Sequence, residues 1–262
     1  MTNKALVTYR DHHDNTRAAD WREPVGISPV SCGLQVIAFE GTVPFYLFSD
    51  KAAVSLTHQW YRDLQLTVEG FRGLDDCEDL LHAGDMIATL LPGESVTLVA
   101  STESEPPLDG LSAYVKQQEH ERDLLGHSGR HDAPAIQQLV LAADQFIVRR
   151  PFPSSTGSTS GHSVIAGYPW FGDWGRDTMI SLPGLTLATG RPEIAASILR
   201  TFAHFADQGM LPNRFPDAGT EPEYNTVDAT LWYFDAIRAY HASTGDAALV
   251  RHLFPVLKDI VA

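Results

Sequence analysis

The residues best suited to chemistry lie together in Gly167-Tyr-Pro-Trp-Phe-Gly-Asp-Trp-Gly-Arg-Asp-Thr178, where Tyr168, Trp170, Phe171 and Trp174 surround Asp173, Arg176 and Asp177. Flat aromatic faces stack on the apolar side of a pyranose ring, while a carboxylate and a guanidinium grip its hydroxyls. Gly172 and Gly175 let the backbone bend tightly between these side chains. The same residues also have ordinary roles open to them. Aromatic clusters are mostly core, an Arg beside an Asp is often a structural ion pair, and Asp177 can simply cap a helix beginning at Thr178.

A second polar stretch runs from Gly209-Met-Leu-Pro-Asn213 to Tyr224-Asn-Thr-Val-Asp-Ala-Thr-Leu-Trp232. It places Asn225 and Asp228 at i and i+3 near a helix start, with Trp232 one turn on. In the plain structural reading Asp228 complements the positive helix end and Asn225 is a turn residue. Neither role prevents contact with a ligand. Together the candidate binding residues are Trp170, Asp173, Trp174, Arg176, Asp177, Asn225 and Asp228.

The chain that must position them changes character midway. Gly33-Leu-Gln-Val-Ile-Ala-Phe, Pro44-Phe-Tyr-Leu-Phe-Ser-Asp, Gln65-Leu-Thr-Val-Glu and Ser95-Val-Thr-Leu-Val-Ala read as short strands punctuated by Gly and Pro. That pattern predicts an antiparallel sandwich over 1–104. A linker with a charged helix (Leu111 to Leu125) follows over 105–134. From Ala135 the period becomes helical, with Ile136, Leu139, Val140, Ala143, Phe146 and Ile147 on one face. Pro153 to Ser163 reads as a floppy Ser/Thr/Gly run. Helices are then expected over about 178–188, 192–207 and 227–244, with a last one starting near Asp246. Pro192 suits a first turn and Gly245 suits a stop. No strand is expected among them, so 135–262 reads as all-α.

A net charge of −14 over 262 residues argues against nucleic acid or an anionic membrane as partner. Cys32 and Cys77 form no CxxC pair, no apolar run reaches membrane-spanning length, and no signal core is visible, so a cytoplasmic protein is expected. No cofactor is expected. The adjacent His12 and His13 make a poor zinc pair, Gly161-His-Ser163 is no nucleophile elbow, and no phosphate loop occurs. Asp177 with Glu221 or Glu223 is the best catalytic carboxyl pair on offer, and a weak one.

Taken together, Trp170-Phe-Gly-Asp-Trp-Gly-Arg-Asp-Thr178, Leu182-Pro-Gly-Leu-Thr-Leu-Ala-Thr-Gly-Arg191, Gly209-Met-Leu-Pro-Asn213 and Tyr224-Asn-Thr-Val-Asp-Ala-Thr-Leu-Trp232 resemble the amylo-α-1,6-glucosidase (glycogen debranching) family. Tyr9-Arg-Asp-His12, Pro44-Phe-Tyr-Leu-Phe48, Trp60-Tyr61, Arg72-Gly-Leu-Asp75 and Glu78-Asp-Leu80 resemble the later part of that family's amino-terminal β domain. The resemblance implies a multi-domain α and β architecture: an antiparallel β-sandwich followed by an incomplete (α/α)6 toroid. It implies a two-carboxylate hydrolysis of α-1,6-linked glucosyl stubs on glycogen or a related branched α-glucan. Arg176 and Asp177 would hold hydroxyls of the terminal glucose, Trp170 and Trp174 would wall the pocket, and Asn225 and Asp228 would lie at the same mouth. The family's general acid is expected in a Thr-Trp-Met-Asp motif, with the base further on. Neither occurs here, so both are expected beyond Ala262, in a missing C-terminal part of the same enzyme that would be a partner. Other exo-glucosidases of this toroid, of glucoamylase or trehalase type, and a non-catalytic glucan-binding protein are the alternatives.

Overall fold

The computed structural model describes all residues except 12–13, 21–24, 130–132, 155–156, 169 and 217–220. The chain divides into two compact units, Met1–Gln117 and Gln118–Ala262.

The first unit holds seven strands: β1 (Thr2–Val7), β2 (Gly26–Val30), β3 (Gly33–Ile37), β4 (Phe45–Ser49), β5 (Ala53–Gln65), β6 (Cys77–Ile87) and β7 (Leu98–Ser101). They form a sheet of order β1-β6-β5 and another of order β2-β3-β4-β7, every pairing antiparallel. Leu34 and Val36 on β3 and Leu81 and Ala83 on β6 share one buried apolar cluster with Val25. Alternation on β3 therefore sends its apolar residues to a core that the two sheets hold in common.

β3, β4 and β7 lie where alternation placed strands. The run Gln65-Leu-Thr-Val-Glu does not continue as one, because β5 ends at Gln65 and Thr67–Phe71 turns into a short helix, α1. The two long strands carry no clean alternation. β6 buries Glu78, Asp79 and His82 among its apolar residues. Each acid has a reason to be there. Glu78 pairs with Arg10, and Asp79 accepts the backbone amides of Ala18 and Asp63 at 2.8 Å each. Those two amides hold the Asp79 carboxyl below its usual value.

The helix α2 (Gly110–Ser128) extends the predicted linker helix at both ends, and the division between units falls within it. In the second unit follow α3 (Pro134–Gln145), β8 (Ile147–Ser154), β9 (Gly157–Gly167), β10 (Phe171–Asp173) and α4 (Gly175–Leu182). A π-turn at Pro183–Leu187 leads to α5 (Pro192–His204), α6 (Asp228–Thr244) and α7 (Ala247–Val261), which holds Pro255 inside it. This half is not all-α. β10, β9 and β8 make an antiparallel three-stranded sheet, and the expected floppy run falls largely on β9. Its composition hides it: β8 carries two prolines and two arginines, and β9 is mostly Ser, Thr and Gly. What holds β9 is tertiary. Val164 enters the main core with Met179, Leu182, Ile198, Leu199, Phe202 and Tyr233, and β9 packs on α4 and α5.

Helix boundaries follow capping chemistry. Pro192 opens α5 as expected, but α5 stops at His204, where Asp207 and Met210 exchange backbone hydrogen bonds in a tight turn. Gly245 ends α6 in the left-handed conformation, and the Asp246 side chain caps α7 by accepting the amides of Ala248 and Leu249. α4 starts three residues before Thr178, so Asp177 lies in its first turn and does not cap it.

Two outcomes test these contacts. Replacing Asp79 by Ala removes the acceptor of two part-buried amides, each bond contributing roughly 0.5–1.5 kcal/mol, so urea unfolding should lose about 1–3 kcal/mol; Asp79→Asn keeps one acceptor and should lose about half. The second concerns His162, whose ring nitrogen Nδ1 lies 2.8 Å from Ser197 Oγ. Burial, with Arg149 adding, pushes its pKa below the ordinary 6.5. Above that value both folded and unfolded forms are neutral. As the pH falls below it the unfolded chain takes up the proton first, so stability drains. Thermal midpoints measured from pH 7.5 to 5.5 should fall, and His162→Gln should flatten that slope.

Candidate functional site

The site is assembled where β10 runs into α4. At Gly175 the backbone comes against the loop that follows α5. Its amide donates to the Asn213 carbonyl at 2.7 Å, and a Cβ there would stand 2.1 Å from the Pro212 carbonyl oxygen. Only glycine fits. On either side the contact extends as a small ladder. Phe215 donates its amide to the Asp173 carbonyl at 3.2 Å, and Asn213 and Glu223 are joined by a 2.7 Å bond from the Asn213 amide. The loop is thus laced to the strand that carries the aromatic residues.

Asp173 is buried, and both carboxylate oxygens are taken by Arg150 on β8, at 2.6 Å and 2.7 Å. The Arg150 guanidinium also lies 4.6 Å from the centre of the Phe215 ring. Asp173, which the sequence reading places among the ligand-gripping residues, is in the structure a buried strut with each carboxylate oxygen bonded to Arg150. Arg150 went unnoticed because its segment did not read as a strand. No local signal marks it; once the fold buries Asp173, a paired cation becomes necessary.

Arg176 projects from the first turn of α4 and remains half exposed. Its Nη1 reaches Asp228 Oδ2 at 3.2 Å, at the first residue of α6. The other oxygen of Asp228 accepts from the Thr226 hydroxyl and from the Ala229 amide. The Thr226 bond, then those from Arg176 and Ala229, hold the Asp228 carboxyl below its ordinary range. Asp228 is thus a fixed anion and acceptor, in the wrong state to donate a proton near neutral pH. Asp177 is half-buried, and no hydrogen bond or ion pair reaches its carboxylate among the described residues; its backbone carbonyl accepts from Ser181.

Trp174 is half-buried at the start of α4, with the Arg214 guanidinium 5.9 Å from its ring centre. Arg214 in turn pairs with Glu223 at 3.5 Å. Trp170 and Phe171 are exposed at the β9–β10 turn, and Trp232 is exposed one turn into α6. Asn225 is exposed and accepts a 2.6 Å bond from the Asn213 side chain. The structure therefore brings Arg176, Asp228, Trp174 and Asn225 to one loop junction, together with Asn213 and Arg214, which sequence reasoning passed over. Glu223 is spent on Arg214, and Glu221 is exposed on the same loop. Among the described residues no group of three or more His, Cys, Asp or Glu side chains is arranged to hold a metal, and His12 and His13 lie outside them. No described helix is long and apolar enough to cross a membrane.

Comparison with known proteins gives two family matches in order. A family described as amylo-alpha-1,6-glucosidase matches residues 141–262, and one described as glycogen debranching enzyme N terminal matches residues 1–97. The chain is similar to the glycogen debranching enzyme of Saccharomyces cerevisiae, with 34% identity over 110 residues. That match covers 40% of this chain and 7% of the yeast protein. No solved structure matches.

Breaking the strut should be costly. Arg150→Met leaves a buried, unpaired carboxylate and should lose roughly 3–5 kcal/mol in chemical unfolding. The double variant Arg150→Met/Asp173→Leu removes both charges and should recover most of that loss.

Proposed function

Because the chain belongs to the amylo-α-1,6-glucosidase family, we propose that its second unit holds the terminal glucose of an α-1,6-linked stub on a branched α-glucan such as glycogen. The observation that carries this reading is the solvent-facing Arg176–Asp228 pair beside Trp174, inside the region the family match covers. Arg176 donates to sugar hydroxyls, and Asp228 holds its fork in place while keeping its own charge. Asp177 accepts a hydrogen bond from a hydroxyl, with a carboxylate that no other described residue engages. The side of the Trp174 indole away from Arg214 takes the apolar side of the ring, and Trp170 walls the pocket with it. Asp173 acts at a distance, through the strand it pins.

Within an architecture of β-sandwich and (α/α)6 toroid, hydrolysis would follow the two-carboxylate scheme. One carboxylic acid protonates the glycosidic oxygen and the other carboxylate activates water, the two standing about 6.5–9.5 Å apart in inverting enzymes. None of the paired acids at this junction suits either role. Asp173 is tied to Arg150, Glu223 to Arg214, and Asp228 stays ionised and hydrogen-bonded. The junction is assigned recognition of the sugar and not the chemistry of the bond.

Titrating branched limit dextrin into the purified chain, followed by tryptophan emission, should show saturable binding. Arg176→Ala should weaken it at least tenfold, about what one charge-assisted hydrogen bond of 1.5–3 kcal/mol supplies. Because the Asp228 pKa is lowered, its pairing is complete above the ordinary carboxylate value near 3.8 and is lost only as the pH falls through the lower folded value. Binding should therefore be level from pH 8 to 5 and fade in stronger acid. Absence of binding, or glucose release lost on substituting Asp177, Glu221 or Glu223, would overturn the division of roles.

A further inference from the structure

The two oxygens of the Asp228 carboxylate face different partners. Oδ2 takes Arg176 Nη1 at 3.2 Å, from a residue 52 positions away. Oδ1 takes only local donors, the Thr226 hydroxyl and the Ala229 amide, the latter at 2.9 Å. A carboxylate held by one donor can rotate about its last side-chain bond, so either oxygen can turn to a given partner. A second donor on the same oxygen sets its plane. Thr226 supplies that donor from the end of the loop, where it is half-buried and β-branched, so its hydroxyl has few rotamers open to it. Among the described residues Arg176 of α4 is the one charged group in hydrogen-bonding reach of Asp228, and Thr226 and Ala229 are its neutral donors.

We infer that Thr226 is a positioning residue: by holding Oδ1 it keeps Oδ2 turned toward Arg176, and so fixes where that guanidinium meets a ligand. Thr226 acts wholly through Asp228 and needs no contact with the ligand itself. The same bond has an electrostatic consequence. The Thr226 hydroxyl is the largest of the influences that hold the Asp228 carboxyl below its ordinary range, ahead of Arg176 and Ala229. Without it the folded midpoint rises toward the ordinary carboxylate value. Asp228 then takes up its proton at a higher pH, and its pairing with Arg176 is lost earlier as the medium is acidified. The inference rests on the glucan reading above for the identity of the ligand, and adds to it the residue that aims Arg176.

Thr226→Val removes the hydroxyl at nearly constant shape, and Thr226→Ser returns it without the methyl. On the full chain we would follow the Asp228 carboxyl carbon by NMR through an acid titration without sugar. Limit-dextrin binding would be read from tryptophan emission across the same pH range. Expected for Thr226→Val are a raised Asp228 midpoint and binding weakened about fivefold at neutral pH, less than in Arg176→Ala. Its binding should also begin to fade at a higher pH than that of wild type. Thr226→Ser should recover most of each change. Added to Asp228→Ala, Thr226→Val should cost little further binding, because its effect runs through the carboxylate. An unmoved Asp228 midpoint, a Thr226→Ser that behaves like Thr226→Val, or an undiminished loss on the Asp228→Ala background overturns the inference. The glucan reading survives any of these so long as Arg176→Ala still weakens binding. Absence of dextrin binding by wild type takes down both.

Discussion

Where the Gly175 amide meets the Asn213 carbonyl, two segments of backbone come closer than any side chain allows. That approach decides much of the site's geometry in the second unit. It sets the first turn of α4 against the loop after α5, so Arg176 emerges within reach of Asp228 although 52 residues separate them. It fixes the root of Asn213 and, through it, the orientation of Asn225. A methyl group at position 175 would separate these partners all at once.

Among the described residues the buried carboxylates, Glu78, Asp79 and Asp173, are each engaged by a donor. Asp173 sits beneath the junction with both oxygens engaged by Arg150, whose flat face rests on Phe215. In the first unit Asp79 accepts two backbone amides across a bulged strand, and Glu78 takes Arg10. Such groups contribute little net stability when paired and cost several kcal/mol when one partner is removed. Their effect is to forbid alternative registers. A slipped β6 or β10 would bury a bare carboxylate.

Much of the helical scaffold was legible because its signals are local. Pro192, Gly245 and Asp246 mark helix ends through their own backbone preferences or side-chain oxygens, and the structure uses them that way. The β8–β10 sheet was not legible. Its strands lack apolar alternation and are held by contacts with α4 and α5 that lie elsewhere in the sequence. The same limit governed the site. Arg176, Asp228, Trp174 and Asn225 were visible as residue types within motifs. Arg150 and Asn213 matter through partners 23 and 12 positions away, and no local pattern advertises such pairings. The Arg150 partner of Asp173 was hidden for the same reason: the motif displays an acid, but only the fold shows the cation paired with it.

The guanidinium of Arg214, 5.9 Å from the centre of the Trp174 ring, makes the two sides of that indole unequal. A sugar stacked on this indole would meet it on the side away from the cation, and a pyranose laid there would turn one chosen side toward the ring. Epimers that differ in which side carries an axial oxygen would then present different surfaces to the same aromatic plane. Facial choice, and with it a stereochemical preference, is built in by a residue that need never touch the guest.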